Sequence, residues 1–220
     1  MRVAAIIPVK RFGAAKQRLA EELEPDARMR LAGAMVGDVL DGVQASRTID
    51  RVVVVTGEPA AVRAARAHGA EVIDDPADGG HSAAALLGID RALGLGMDAA
   101  ALLPGDCPLL NAAELDAAVT RMSPPTVAVV PDRHGTGTNA LLLAPPDAIE
   151  PAFGPGSRAR HESLARSAGI EARVEPLASL APDVDTAADL VAVGELLGDR
   201  PGSAPRTAAA LCDLDVRART

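Results

Sequence analysis

The chain has 220 residues, of which 48% are hydrophobic and 24% are charged, so its composition is that of a globular protein and excludes wholesale disorder. Its 30 acidic and 22 basic residues give a formal net charge of −8, which argues against a general nucleic-acid binder because such proteins need a surplus of Lys and Arg. No apolar run approaches the roughly 20 residues that span a bilayer, and the first apolar run reaches Lys10 and Arg11 too soon for a signal peptide. Two cysteines cannot form a disulfide framework. We therefore expect a soluble, cytoplasmic protein with no membrane partner.

Strand patterns alternate with helix patterns over the first 130 residues. Buried-strand patterns are predicted at 3–9, 52–55, 71–74, 99–103 and 126–130. Helices are predicted between them, at 26–45, 59–68, 80–93 and 112–122. This βαβαβαβαβ order predicts an α/β fold with a mostly parallel central sheet and helices on both faces.

The pattern changes after Pro131. A loop rich in Gly and Thr leads to a predicted strand at 140–143, and a Pro/Gly turn at 151–156 precedes a helix from about residue 157. A strand near 171–175 and a last helix after residue 186 complete a single domain over residues 1–200. We expect the turn-rich tail, 201–220, to be loosely ordered.

The loop after the first strand concentrates positive charge. Four cations, Lys10, Arg11, Lys16 and Arg18, lie within nine residues, and Lys10 and Lys16 are the two lysines of the chain. Ammonium groups and the intervening small residues suit phosphate binding, although the segment is neither a Walker A loop nor a GxGxxG fingerprint. The alternative is a solvated basic turn in a chain that favours arginine.

Two acidic segments could hold a metal ion. Asp106 lies in a Gly/Pro turn after the fourth predicted strand, and Asp183 and Asp185 share one face of an extended segment before the last helix. Carboxylates at strand ends suit Mg²⁺, which takes oxygen ligands and keeps waters and substrate phosphates. Each aspartate could instead shape its turn or cap the following helix.

Two Gly-rich segments, 132–139 and 153–161, offer amides and hydroxyls for a small phosphorylated or carboxylated anion. Taken alone, such segments are usually only turns. We interpret His161 as a helix-face residue rather than a catalyst, and Cys107 as a packing residue rather than a nucleophile.

Five segments occur in the order PVKRFGAAKQRL, GDCPLL, DRHGTGTNALLL, FGPGSRARH and DVDTAADL. Together they resemble the phospholactate/phosphoenolpyruvate guanylyltransferases of coenzyme F-420 biosynthesis, over about residues 2–198. The pair GTGTNALL and FGPGSRARH discriminates most, because sugar-nucleotide and molybdopterin nucleotidyltransferases lack it. The resemblance implies a Rossmann-like nucleotidyltransferase fold.

The resemblance also implies transfer of GMP from GTP to the phosphate of phosphoenolpyruvate or 2-phospho-L-lactate, with release of pyrophosphate. The Mg²⁺ ligands implied are Asp106, Asp183 and Asp185, and the acceptor-binding residues are Thr138, Gly154 and Ser157. The nucleotide-binding residues implied are Lys10, Arg11, Lys16, Arg18 and Ser82, the last at a position where the family commonly has Asn. Lys10, Lys16 and Asp106 would be catalytic.

The Ala- and Arg-rich composition suggests a high-GC bacterium, where the phosphoenolpyruvate branch of that family is expected. The resemblance further implies a downstream deazaflavin transferase that consumes the labile product, and it is compatible with a homodimer. Three alternatives stay open: a nucleotidyltransferase for a sugar phosphate or molybdopterin, a metal-dependent glycosyltransferase that uses Asp183-Val184-Asp185 as a DxD motif, and a GTP-binding module without catalysis.

Overall fold

A seven-stranded sheet lies at the centre of the computed structural model, which describes residues 1–14 and 16–218. The strands are β1 (Val3–Val9), β2 (Arg51–Thr56), β3 (Glu71–Ile73), β4 (Ala99–Leu102), β5 (Thr126–Pro131), β6 (Thr138–Ala144) and β7 (Ala172–Val174). The helices are α1 (Pro25–Gln44), α2 (Pro59–Ala67), α3 (His81–Gly94), α4 (Ala112–Thr120), α5 (Ser157–Ser167), α6 (Ala187–Asp199) and α7 (Pro205–Ala218). Two short 3-10 helices, Phe12–Ala14 and Gln17–Leu19, follow β1.

The strand order in the sheet is β3-β2-β1-β4-β6-β5-β7. β1 pairs in parallel with β2 and β4, β2 with β3, and β5 with β7. β6 runs antiparallel to both β4 and β5, because residues 132–137 turn the chain back from β5 into a hairpin. The sheet is therefore mixed and mostly parallel, which confirms the predicted fold class.

Helices cover both faces of the sheet because side chains alternate along each strand. Val3, Ala5 and Ile7 of β1 pack on one face with α1, α2 and α4. Ala4 and Ile6 pack on the other face with α3 and α5. All seven residues of β1 are buried, as expected for a central parallel strand covered on both sides.

The chain forms helix α7 over residues 205–218, where we expected a loosely ordered tail. α7 packs against α1, and the buried carboxylate of Asp38 accepts hydrogen bonds from the amides of Arg206 (3.1 Å) and Thr207 (2.7 Å). Because this cap comes from a residue 168 positions away, the composition of the tail did not reveal it. The structure thus has a helix over most of the predicted tail, and residues 219–220 lie outside the described residues.

Within the part of the chain that the structure describes, no helix combines the length and the apolar character needed to cross a membrane.

Candidate active site

The predicted site residues meet at one edge of the sheet. β1 and β4 end at this edge, and the β5–β6 hairpin turns there because it starts at the carboxyl end of β5. The segments after β1 and β4, the hairpin, and the segments before α5 and α6 line two cavities. Ligands of open α/β sheets bind at the carboxyl ends of the strands, so this edge is the candidate active site.

The two cavities adjoin. The first, of about 260 Å³, is lined by Lys10, Phe12 and Lys16 among others, and we call it the donor cavity. The second, of about 420 Å³, is lined by hydroxyl, amide and glycine residues of the β5–β6 hairpin and of residues 153–157, and we call it the acceptor cavity. His81, Asp106 and Asp185 line both, so a ligand in either cavity would meet the same pair of carboxylates.

Lys16 joins the two carboxylates at the wall between the cavities. Its Nζ lies 2.5 Å from Oδ2 of Asp106 and 3.2 Å from Oδ1 of Asp185. Its side chain is only 6% exposed, and its backbone adopts the left-handed conformation (φ 55°). A lysine rarely adopts that conformation, which costs roughly 1–2 kcal/mol, so the two ion pairs hold Lys16 in a position that its backbone does not favour.

The charges of this cluster support one another. Burial alone would lower the pKa of Lys16, but the charges of Asp106 and Asp185 outweigh burial and raise that pKa above its ordinary value. Burial alone would likewise raise the pKa of Asp106, but the Lys16 ammonium, together with smaller effects of His81 and a backbone hydrogen bond, outweighs burial and lowers it. The ammonium and this carboxylate are therefore both charged at neutral pH.

Asp183 lines the acceptor cavity, and among the described residues no positive charge offsets the effect of burial on its pKa. Burial, and after it the negative charges of Asp106, Asp185 and Asp189, raise the pKa of Asp183. In residues 1–14 and 16–218, no three His, Cys, Asp or Glu side chains already surround one cation position. Instead, the Lys16 ammonium stands between two carboxylates, where a cation bound by both would lie.

The donor set of this cluster fits Mg²⁺. Mg²⁺ in proteins usually binds through one or two carboxylates and takes its other ligands from water and substrate phosphates. Asp106 and Asp185 already share a cation, the ammonium of Lys16, and Asp183 adds negative charge to the acceptor side of the same cluster. These three residues could therefore hold the metal that the sequence predicts, and this role stays a prediction.

The remaining predicted cations are divided between different places. Lys10 lines the donor cavity, as expected for a residue that binds the triphosphate. Arg18 instead lines the acceptor cavity, with Nη1 3.9 Å from Oδ2 of Asp185. The guanidinium of Arg11 lies against Gly57, where a Cβ would stand 3.0 Å from Nη2. Among the described residues, Lys10 and Lys16 thus both line the donor cavity, whereas Arg11 lines neither cavity.

Ser82 contacts the loop before α5, and its role in binding the nucleotide stays a prediction. Its hydroxyl accepts a hydrogen bond from the amide of Phe153 (2.9 Å), and the neighbouring His81 packs edge-to-face on the Phe153 ring at 4.5 Å. Among the described residues, Ser82 does not line the donor cavity. His81 was not predicted as a site residue, although its place at the first turn of α3 put it at the sheet edge.

The three predicted acceptor residues lie together. Thr138, Gly154 and Ser157 all line the acceptor cavity. Gly154 (φ 112°) and Gly156 (φ 68°) adopt conformations that favour glycine, and they lead the chain into Ser157 at the start of α5. The positive end of the α5 dipole favours an anion, so this loop and the Thr138 hydroxyl suit the acidic groups of a small molecule.

Asn139 is a second residue at the site that the sequence pattern did not single out. Its amide nitrogen donates to the backbone oxygens of Leu180 (2.7 Å) and Ala181 (3.2 Å). These bonds tie β6 to the segment that carries Asp183. The signal in the sequence was a polar residue at a predicted strand start, directly after Thr138.

Comparisons with known proteins identify relatives of this chain. Residues 3–200 match the model of a family described as guanylyl transferase CofC like. A phosphoenolpyruvate guanylyltransferase of Conexibacter woesei is 44% identical over 216 residues, covering 97% of each chain. One of Sphaerobacter thermophilus is 42% identical over 201 residues, covering 91% of this chain and 95% of that protein.

Solved structures of nucleotidyltransferases share the fold. A nucleotidyl transferase from Methanothermobacter superposes with a TM-score of 0.68 at 19% identity, covering 90% of this chain and 98% of that one. A cytidylyltransferase from Leptospira borgpetersenii superposes with a TM-score of 0.62 at 15% identity, covering 100% of this chain and 96% of that one. At these identities the likeness concerns the fold alone.

Proposed function

The chain belongs to the CofC-like guanylyl transferase family, and on that premise we propose that it transfers GMP from GTP to the phosphate of phosphoenolpyruvate and releases pyrophosphate. The observation that carries the proposal is the wall that the two cavities share. Asp106 and Asp185 line both cavities, so a triphosphate in one and a phosphoacid in the other would meet at the same carboxylate pair.

The donor cavity supplies positive charge for GTP. Lys10 lines this cavity, and the ammonium of Lys16 lies at the wall next to Asp106. Ammonium groups are point charges suited to phosphate oxygens. Lys10 and Lys16 would therefore neutralise the β- and γ-phosphates and the pyrophosphate that leaves.

The acceptor cavity suits a small diacid rather than a sugar. Thr138, Gly154, and Ser157 at the start of α5 line this space with hydroxyl and backbone amide groups. These groups donate hydrogen bonds to anionic oxygens. We assign the acceptor to the three-carbon phosphoacids, with phosphoenolpyruvate first because relatives at 44% and 42% identity carry that name.

The reaction needs positioning and charge neutralisation more than proton transfer. A phosphate monoester is largely dianionic at neutral pH, since its second pKa is about 6, so its oxygen attacks without a general base. The bond from this oxygen to the α-phosphorus of GTP forms while the bond from that phosphorus to the β-bridging oxygen breaks. Asp106, Asp185 and Asp183 would hold Mg²⁺, which supplies charge neutralisation and orients the triphosphate when bound.

Acceptor-dependent release of pyrophosphate tests the proposal. GTP and Mg²⁺ are mixed with the enzyme and with phosphoenolpyruvate, 2-phospho-L-lactate or 3-phosphoglycerate separately, and inorganic pyrophosphatase pulls the equilibrium. We expect release with GTP and phosphoenolpyruvate, and none with ATP or CTP. Pyrophosphate release only with 2-phospho-L-lactate would identify that compound, and not phosphoenolpyruvate, as the acceptor. GTP binding without any pyrophosphate release would favour a non-catalytic module.

A cytoplasmic location, a homodimer and a downstream deazaflavin transferase that consumes the product stay predictions from the sequence. A labile phosphoanhydride product is consistent with a consuming enzyme, since hydrolysis would otherwise compete for it.

A further inference from the structure

A buried histidine lies behind the acceptor cavity and has no part in the reaction as derived above. His161 of α5 is 0% exposed, and Phe153 packs edge-to-face on its ring at 5.2 Å. Both ring nitrogens have a partner. Nε2 lies 2.8 Å from the amide nitrogen of Ala152, and Nδ1 lies 3.0 Å from Oγ1 of Thr138.

These partners determine which nitrogen carries the proton. The Ala152 amide can only donate, so Nε2 accepts and is unprotonated. In the neutral ring the proton is then on Nδ1, which donates to Oγ1 of Thr138. Burial, and after it the charge of Arg160, lowers the pKa of His161 to about 4. The ring is therefore neutral at physiological pH.

The hydroxyl of Thr138 has one proton to donate. The direction of its hydrogen bond with His161 determines which group can receive that proton. Because Oγ1 accepts from His161, its own proton is left for another partner. Within the described residues, His161 is the one hydrogen-bond partner of this hydroxyl, and Thr138 lines the acceptor cavity. The free proton is therefore available to a ligand in that cavity.

We propose that His161 is a positioning residue, which as the Nδ1–H tautomer makes the Thr138 hydroxyl a hydrogen-bond donor to an anionic oxygen of the acceptor. This role rests on the proposed function, because it assigns the orientation of one acceptor contact. An anionic carboxylate or phosphate oxygen can only accept hydrogen bonds. It therefore pairs well with a hydroxyl whose proton is directed into the cavity. Hydrogen bonds to such charged oxygens are stronger than those between neutral groups.

Two substitutions of the same histidine separate orientation from packing. In His161→Asn the side-chain amide nitrogen stands near the place of Nδ1 and can still donate to Thr138. In His161→Gln the longer side chain brings its oxygen near the place of Nε2, which keeps the bond from Ala152 and loses the donor to Thr138. His68→Gln is the matched control, because His68 also bonds through both ring nitrogens, to Ala64 and Asp41, away from either cavity.

Steady-state kinetics gives the first readout. For His161→Gln we expect the KM for phosphoenolpyruvate to rise roughly tenfold or more, the loss of one hydrogen bond to a charged group, while the KM for GTP is unchanged. His161→Asn restores most of that loss, and His68→Gln changes neither KM. The KM for phosphoenolpyruvate should rise as much in Thr138→Val as in His161→Gln. It should rise no further in the double variant, because both substitutions remove the same contact.

The tautomer gives a readout that does not depend on turnover. In protein labelled with ¹⁵N-histidine, NMR should show His161 protonated at Nδ1 and not at Nε2 near pH 7. The role is overturned by an Nε2–H tautomer, by an unchanged phosphoenolpyruvate KM in folded His161→Gln, or by equal losses from Asn and Gln. A wild-type enzyme that turns over no phosphoacid refutes the proposed function and this role with it, whereas an active wild type beside a normal His161→Gln refutes this role alone.

Discussion

Replacing Asp106 with Asn separates the catalytic use of this carboxylate from its structural use. Asp106 holds the Lys16 ammonium at 2.5 Å and lines both cavities. Asn has nearly the same volume, and its amide oxygen can still accept a hydrogen bond from Lys16. What the substitution removes is the negative charge, and with it one ligand for the predicted metal.

The geometry around Lys16 sets the size of the two effects. After the substitution the ammonium keeps Asp185 at 3.2 Å, so the buried charge remains paired. The free energy of unfolding should then fall by only about 1 kcal/mol, the difference between a charged and a neutral hydrogen bond. Turnover should fall roughly 100-fold or more, as when one preorganised electrostatic contact to a reacting group is lost.

Asp116 provides the matched control, because it is an aspartate with structural partners only. Its carboxylate accepts hydrogen bonds from the Ser46 hydroxyl (2.5 Å) and from the amides of Arg47 and Thr48 (3.0 and 3.2 Å). Asp116→Asn should lower the free energy of unfolding by roughly 1–2 kcal/mol and leave turnover unchanged. This is the inverse of the Asp106→Asn pattern.

Urea unfolding and acceptor-dependent pyrophosphate release, measured on both variants, check these values. A folded Asp106→Asn protein with near-normal turnover would refute the assignment of this carboxylate to the metal. Equal turnover losses in the two variants would show that the assay reports general damage to the fold and not the chemistry of the site.

Three further predictions concern the acceptor loop, pH and the last helix. Ser82→Ala should raise the KM for phosphoenolpyruvate about three- to tenfold, because the amide of Phe153 loses its partner; a rise in the KM for GTP instead would support the predicted nucleotide role. The pKa of His161 is lowered from 6.5 to about 4, so its neutral form contributes stability that is fully present above pH 6.5 and is lost as the pH falls toward 4. Urea unfolding across that range should show that the free energy of unfolding of the wild type falls, relative to that of His161→Asn, by on the order of 3 kcal/mol as the pH drops from 6.5 to about 4; a constant difference contradicts the shift. Asp38→Ala should cost roughly 2–3 kcal/mol and speed hydrogen exchange of the first amides of α7, and unchanged exchange would mean that the cap does not hold the helix.

Elements whose signals are local could be predicted from the sequence. The run of four valines at 52–55 lies within β2, and Asn111, whose side chain accepts from Ala113 and Glu114, caps α4 where the pattern predicted a helix. β-branched runs and N-caps act through neighbours in the chain, so no tertiary contact was needed to find them. The exact place of β6, between β4 and β5, depends on pairing across the sheet and was not predicted.

Site residues could be predicted as a set but not in their contacts. Lys16 and Asp106 were both assigned to the site, yet the 2.5 Å bond joins residues 90 positions apart and requires a left-handed backbone at Lys16. Ser82 was assigned to the nucleotide, whereas its hydroxyl bonds Phe153, 71 positions later. Contacts across such distances depend on how α3 and the loop before α5 pack, which no local pattern encodes.

The central claim is that the phosphate of the acceptor attacks the α-phosphorus of GTP at the carboxylate pair shared by both cavities. Phosphoenolpyruvate labelled with ¹⁸O in its phosphate, turned over with GTP and examined by ³¹P NMR, tests it directly. The claim predicts an isotope shift on the GMP phosphorus of the product, because the new bridging oxygen comes from the labelled phosphate. A product whose GMP phosphorus shows no isotope shift would mean that another group attacks, and would contradict the claim.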